Sequence, residues 1–221
     1  MKLPAPEIER LTIFLAGAFN PSILQPAWFA SEKLLRKSEA DAAQNLTVTG
    51  EYTTFALDWM AIEARVDQIS VFTEDPSSNE AVRDLVVGIF RLLSHTPIEV
   101  VSVISQAHFK AESIDSWHLV GNTLAPKNVY EGLLEKPGLM DLRLQAVRTD
   151  GRKGEVMVVA QPSRRITPGV FLAVSDDYRL SKADEAQEVA GTGLLDDILT
   201  NDWSSSMDRR RHIINTILER I

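Results

Sequence analysis

The sequence predicts an α+β fold, a mainly antiparallel sheet with long helices packed on one face. Three observations predict it. Apolar and charged residues alternate from Met60 to Val66, which is typical of a strand with one wet face. Apolar residues recur at three- and four-residue steps between Ser78 and His95, which is typical of a helix. The loop from Asp150 to Gly154 is typical of a hairpin between two strands.

The first half of the chain is predicted to contain the strands 8–19, 46–52, 59–66 and 69–73, with a short helix that begins near Pro26. Ser77 and Glu80 have the spacing of a capping box, so the long helix begins there. Pro97 ends that helix, because the residue before a proline avoids helical angles. Residues 98–104 are rich in β-branched side chains and predict a return to the sheet, with an extension to Phe109.

The second half is again predicted as strands followed by helix. Residues 111–137 form an irregular segment, with a short helix after Pro126. The predicted strands are 140–146, 155–160 and 170–174, and Asp176-Asp177 is predicted as a turn. Apolar residues from Leu194 to Ile221 line helical faces, with either a break or a kink at Ser204 to Ser206.

The chain is therefore predicted to be a single domain, 1–221, with two similar halves. Residues 1–110 and 138–221 share the order of strands and then a helix, and the irregular segment 111–137 joins them. The residues of the two halves do not align, so the likeness is one of architecture. A pseudo-two-fold saddle, with helices on one face of a continuous sheet, would satisfy this order.

Composition excludes several classes of chemistry. The chain has 221 residues and no cysteine, which excludes disulfides, thiolate metal sites and cysteine nucleophiles. The net charge of −8 argues against broad nucleic-acid binding, which depends on basic residues neutralising phosphates. No apolar run follows Lys2 as in a signal peptide, and no stretch is apolar enough to span a membrane. We therefore expect a cytoplasmic protein without a membrane partner.

Catalytic motifs are missing from the sequence: it has no Walker loop, no G-x-G-x-x-G, no G-x-S-x-G and no H-E-x-x-H. We predict no catalytic residue, no metal site and no cofactor. The first hypothesis is a non-enzymatic interaction or assembly protein, a homodimer or a subunit of a larger assembly, with the last helix as the contact element. Whether the chain is an enzyme stays open, although the missing motifs favour a non-enzymatic role.

Two alternatives remain. A small enzyme or ligand-binding domain would have its pocket at segment 105–138, lined by His108, Asp115, Trp117 and His118. The spacing of these residues matches no metal-binding motif, and surface or structural roles for the histidines are the simpler interpretation. Nucleic-acid binding would use a local patch of arginines: Arg164, Arg165, Arg209, Arg210 and Arg211. For the run 209–211, the simpler interpretation is a solvated helix face.

Adjacent carboxylates give no stronger indication of a site. Asp176 and Asp177 point to opposite faces if they lie in a strand. Asp196 and Asp197 lie about 100° apart on a helix. Both pairs are predicted to be solvated.

Two stretches carry a resemblance to known sequences. Residues 19–29, with Phe19-Asn20-Pro21 and Pro26-Ala27-Trp28-Phe29, and residues 85–97 resemble a sporadically distributed family of uncharacterised bacterial proteins. That family also has a layout of strands followed by a helix. The resemblance implies a bacterial or phage origin and no catalytic motif.

Overall fold

A computed structural model describes residues 5–180 and 191–221 of the chain. The prediction that the chain has no signal peptide rests partly on residues 1–4, which lie outside the described residues. Within the described ranges, no helix combines the length and the apolarity needed to cross a membrane.

The structure confirms the α+β fold, and the residues that it describes include nine strands in one antiparallel sheet. The strands are β1 Ile8–Gly17, β2 Gln44–Val48, β3 Tyr52–Ala56, β4 Ala61–Arg65, β5 Gln68–Thr73, β6 Ile98–Lys110, β7 Leu142–Val147, β8 Gly154–Pro162 and β9 Gly169–Arg179. Their order across the sheet is β2-β3-β4-β5-β1-β6-β9-β8-β7, and every neighbouring pair is antiparallel. Sequence had predicted seven or eight strands and could not place β1 at the centre.

The helices described lie on one face of this sheet, which we call the inner face. They are α1 Pro26–Ser31, α2 Lys37–Asp41, α3 Asn79–Leu92, α4 Ile114–Leu124, α5 Gly191–Asn201 and α6 Trp203–Arg220. Helix α3 packs on β1 and β5, α5 packs on α3 and β6, and α6 packs on β9 and β6. In β1, Leu11, Ile13 and Leu15 point inward and are almost completely buried.

The opposite face, which we call the outer face, carries the side chains that alternate along each strand with the inward-pointing ones. Strand pairing places Phe14, Phe72, Ile104, Phe171, Met157 and Val159 on it. The hydrophobic clusters of the described residues contain inner-face side chains and none of these six. The sheet is thus covered on one side by the described helices.

Three predictions about local structure were wrong. Residues 114–124, predicted as irregular, form helix α4, because the Ser113 and Ser116 side chains cap its first turn reciprocally. The short helix predicted after Pro126 is reduced to one 3-10 turn, Asn128–Tyr130. Asp176 and Asp177, predicted as a solvated turn, lie within β9, and Asp176 is fully buried.

The helices after residue 190 are interrupted at Asp202, which separates α5 from α6. Ser204 to Ser206, where the sequence left a break or a kink open, lie within the first turns of α6. The packing of α6 on the sheet is the reason that this serine-rich stretch remains helical, since Ser206 and Arg210 point into the interior.

Candidate functional site

The residues proposed for a ligand site do not share one cavity. His108 lies on the outer face, where its Nδ1 is 2.8 Å from the Ser163 hydroxyl and its ring lies against Phe171. Burial, and then the charge of Arg165, lower the pKa of His108. Trp117 lies on the inner side, where its Nε1 donates to the Gly169 carbonyl at 2.9 Å. The sheet therefore separates these two side chains.

The other two members of that group are on the surface of α4. Asp115 is exposed in its first turn, and His118 is exposed one residue beyond Trp117. A cavity of about 70 Å³ lies beside Trp117 and His118, between α4 and Leu139. Ligand pockets usually measure at least about 300 Å³. This cavity is too small for a typical small-molecule ligand.

The arginines proposed for nucleic-acid contact occupy different places. Arg164 is exposed, and its neighbour Arg165 pairs with Glu74. Arg209 points toward Asp176 and Asp150, and Arg210 is 0% exposed. Arg211 is exposed and lies 3.6 Å from Asp208. The run 209–211 was interpreted as a solvated face, and for Arg210 this was wrong, because the side chain forms part of a buried charge cluster.

Asp176 is the centre of that cluster. Its carboxylate accepts hydrogen bonds from Arg148 at 3.2 Å, Arg209 at 3.0 Å and Arg210 at 3.3 Å, and from the Ser206 hydroxyl. Arg210 also donates from Nε to the Ser105 hydroxyl at 2.9 Å. Two strands, the hairpin loop before β8 and helix α6 therefore meet at one carboxylate.

The guanidinium groups of the cluster remain protonated at neutral pH. Burial lowers the pKa of Arg210 to about 10, although the charge of Asp176 opposes this, so the guanidinium keeps its proton at pH 7. Arg148 lies 3.8 Å over the ring of Tyr178. Burial would lower the pKa of Arg148, but Asp150 and Asp176 raise it overall. The cluster is closed to solvent at Asp176, so it acts as a structural link and not as a binding site.

Asp150 makes the buried charge cluster sensitive to acid. Burial would raise its pKa, but the hydrogen bond and charge of Arg148 outweigh burial, and the pKa falls to about 2 from 3.8. A carboxyl whose pKa is lowered in the folded state stabilises the fold above its unfolded pKa and loses this contribution as the pH falls through its folded pKa.

We therefore expect the melting temperature of the wild-type protein to decline between about pH 4 and pH 2, and to decline less in Asp150→Asn. The measurement is thermal unfolding followed by circular dichroism across that range. Glu112→Gln, at an exposed carboxylate, is the control and should follow the wild type. An equal decline in Asp150→Asn and the wild type would show that Asp150 is not a source of the acid sensitivity.

A groove of about 610 Å³ lies on the inner face. Its floor is formed by Leu11, Ala107 and Phe109, and α6 forms one wall. Polar side chains from β1, from the segment after β5, from α3 and from α6 line its rim: Glu9, Arg10, Glu74, Asn79, Arg211, Asn215 and Glu219. Sequence could not place this groove, because it forms where α6 and the start of α3 diverge over the sheet.

The outer face carries apolar side chains that belong to neither hydrophobic cluster of the described residues. Its central residues are Phe14, Phe72, Ile104, Phe171, Met157 and Val159, and each is partly exposed. Arg10 lies 4.3 Å over the ring of Phe72 at one side. At the other side Arg179 pairs with Glu155 at 3.1 Å. The face thus has an apolar centre and a rim that carries both signs of charge.

A signal for this face was present in the sequence. Strands β8 and β9 contain the unbroken apolar runs Val156 to Ala160 and Val170 to Val174. Continuous apolar runs are typical of strands that are covered on both faces. In β4, by contrast, Ile62 and Ala64 alternate with Glu63 and Arg65. The runs indicate an apolar outer face in β8 and β9, whereas Phe14, Phe72 and Ile104 lie on other strands of that face.

Among the described residues, no group of three or more histidine, aspartate or glutamate side chains is placed to hold a metal ion. Comparison with models of known protein families and with curated protein sequences returns no match for this chain.

Proposed function

We propose that the protein is a non-enzymatic assembly protein that associates with a second copy of itself through the outer face of its sheet. The observation that carries the proposal is the apolar centre of that face, with Phe14, Phe72, Ile104, Phe171, Met157 and Val159 uncovered by any described element. Thr12, Ser102 and Ser175 lie among these residues on the same face, and exposed apolar side chains bordered by polar residues are typical of protein interfaces.

The area of the outer face that carries these residues reaches the lower limit of a specific contact. It extends over five neighbouring strands, β5, β1, β6, β9 and β8. At about 4.8 Å per strand and about 3.3 Å per residue, it measures roughly 24 Å by 20 Å, or on the order of 500 Å². Two copies would bury about 1,000 Å² in total, which is the lower limit of specific interfaces.

A second copy suits the chemistry of the face. Two sheets pack face to face at about 10 Å with interdigitating side chains, so the aromatic and branched residues of one copy can fill the spaces of the other. A two-fold axis brings the same patch onto itself, and a rim with both Arg179 and Glu155 can then pair with its own copy. A nucleic-acid partner would instead require a predominantly basic surface.

This proposal moves the contact away from α6, where the sequence had placed it. Helix α6 packs on β6 and β9, and its Arg210 is fully buried. Its apolar side chains Ile214, Ile217 and Leu218 pack against the inner-face cluster. The helix is therefore part of the core of each copy.

The test is the mass in solution of Ile104→Lys, measured by sedimentation equilibrium. Ile104 lies on β6, the middle one of the five strands β5, β1, β6, β9 and β8, and a lysine at this position would place a charge at the centre of the contact. We expect a wild-type mass of at least twice 24.6 kDa and a variant mass lower by a factor of two or more.

Leu92→Lys is the matched control, since Leu92 is also an exposed apolar residue but lies at the end of α3, away from the outer face. Its mass should equal that of the wild type. Val159→Ser is a milder second variant, and circular dichroism confirms that each variant is folded. A mass unaffected by Ile104→Lys and Val159→Ser would overturn the proposal.

A further inference from the structure

We infer that strand β7 is a second interface, at which two copies of the chain pair their edge strands and continue the sheet from one copy into the other. This inference concerns a different surface from the outer face and holds whether or not the outer face is an interface. It rests on the contrast between the two edges of the sheet, on strand direction, and on the distribution of exposed apolar residues.

The two edges of the sheet differ in how they are protected. Strand β2 has five residues, its pairing with β3 shifts register between Gln44 and Thr47, and Asn45 has a φ of 55°. Irregularities of this kind prevent an edge from pairing with another chain. Strand β7 pairs with β8 in unbroken register from Leu142 to Val147. Its free side is therefore a regular strand that can accept a partner.

Strand direction selects a second β7 as the partner. Because all neighbouring strands of the nine-stranded sheet are antiparallel, β2 and β7 run in the same direction. With the helices of both copies on the same side, pairing β7 of one copy with β2 of the next would be parallel, unlike every other pair in the sheet. A two-fold axis perpendicular to the sheet pairs β7 with β7 antiparallel and keeps the helices of both copies on the same side.

Side chains on β7 suit this symmetric pairing. Leu142, Leu144 and Ala146 share the inner face, because they lie opposite Ala160, Val158 and Val156 of β8. A register centred on Leu144 places Leu144 opposite its own copy and Leu142 opposite Ala146. Apolar pairs then face one another across the two-fold axis, and such pairs stabilise antiparallel strands.

Three exposed apolar residues lie on this edge or next to it in the chain: Met140, Leu144 and Val147. Val147 ends β7 and is 82% exposed, and Met140, two residues before β7, is 84% exposed. A partner at this edge would cover apolar surface that a single copy leaves in water.

The test combines variants of the two surfaces. Leu144→Lys places a charge on the edge, where it meets its own copy across the axis. We expect sedimentation equilibrium to give more than a dimer for the wild type, a dimer for Leu144→Lys, and a monomer for Leu144→Lys combined with Ile104→Lys. Leu46→Lys is the matched control, since Leu46 is an exposed leucine on the other edge strand and should leave the mass unchanged.

The two proposed interfaces can fail separately, and each failure gives a different set of masses. If Leu144→Lys leaves the mass unchanged while Ile104→Lys reduces it to 24.6 kDa, the edge pairing is overturned and the outer-face contact stands. If only Leu144→Lys reduces the mass, the edge pairing stands and the outer-face contact is overturned.

A cysteine at Leu144 tests the register directly, because the chain has no cysteine of its own. Opposed residues of antiparallel strands have Cα atoms about 4.5–5.5 Å apart, within the range of a disulfide. We expect Leu144→Cys to form a covalent dimer under mild oxidation and Leu46→Cys to remain monomeric on a denaturing gel. Equal cross-linking of the two variants would overturn the register and the edge pairing with it.

Discussion

Replacing Asp176 with alanine is expected to destabilise the protein by about 3–5 kcal/mol, because it removes the carboxylate from a buried ion cluster and leaves its cations unpaired. The Arg148 side chain is 1% exposed and that of Arg210 is 0% exposed, so water cannot replace the lost carboxylate. The expected loss is a large part of the 5–15 kcal/mol that usually separates folded from unfolded states.

The measurement is the midpoint of urea unfolding at neutral pH, with the slope of the transition checked for constancy. Asp177→Ala is the matched control. Asp177 is the next residue of β9, it points to the outer face, and its carboxylate accepts from the Ser175 hydroxyl. We expect a much smaller loss in this control. A loss below about 1 kcal/mol in Asp176→Ala, the usual range of exposed ion pairs, would show that the arginines find other partners.

Replacing Gly154 with alanine is the second large effect that we expect, a loss of about 3 kcal/mol in the free energy of unfolding. Gly154 begins β8 with a φ of 137°, where only glycine is unstrained. A Cβ atom at this position would lie 2.0 Å from the carbonyl oxygen of Asp177. Both the dihedral strain and the contact with backbone must be relieved by moving β8 away from β9.

Alanine variants of two other glycines separate the effect of the dihedral strain from the effect of the backbone contact. Gly50→Ala meets no atom within 4 Å and should change stability by less than about 0.5 kcal/mol. Gly151→Ala has a φ of 80° but also meets no atom, so it reports the dihedral strain alone. Urea unfolding of the three variants should therefore rank Gly154 first, Gly151 second and Gly50 last. A Gly154→Ala loss no larger than that of Gly151→Ala would contradict the proposed backbone contact.

Asp176 and Gly154 lie in the same part of the sheet, where β8 pairs with β9. Gly154 lies opposite Tyr178, and Asp176 lies opposite Val156, so the close approach of β8 to β9 fixes the strand that carries the central carboxylate. The ion cluster around Asp176 attaches α6 to the sheet, and α6 in turn covers the inner face of β6 and β9. Assembly through the outer face or through β7 requires this half of the sheet to be held in place.

Local pattern in the sequence was enough to predict the fold class and many of the elements. Alternation in β4 and the three- and four-residue steps in α3 identified a strand and a helix, because burial against a neighbouring layer imposes those periods wherever one face is wet. Helix α4 escaped prediction because its buried stripe is short: Val120 and Ser116 are its buried residues, and Gly121 and Asn122 weaken the helical signal.

Tertiary structure alone decided where charge and apolar surface are placed. Asp176 and Arg210 have the local sequence context of solvated residues, and their burial depends on a partner 34 residues away along the chain. His108 and Trp117 are close in sequence but lie on opposite sides of the sheet, because a strand and the helix after it place them there.

Apolar runs in β8 and β9 marked strands that ought to be covered on both sides, but only the assembled sheet shows that the described helices leave the outer face bare. The spacing of apolar residues in the sequence indicates only which side chains of one helix or strand share a face. Strand order, edges and uncovered faces depend on contacts between distant parts of the chain, so they are decided only in the folded protein.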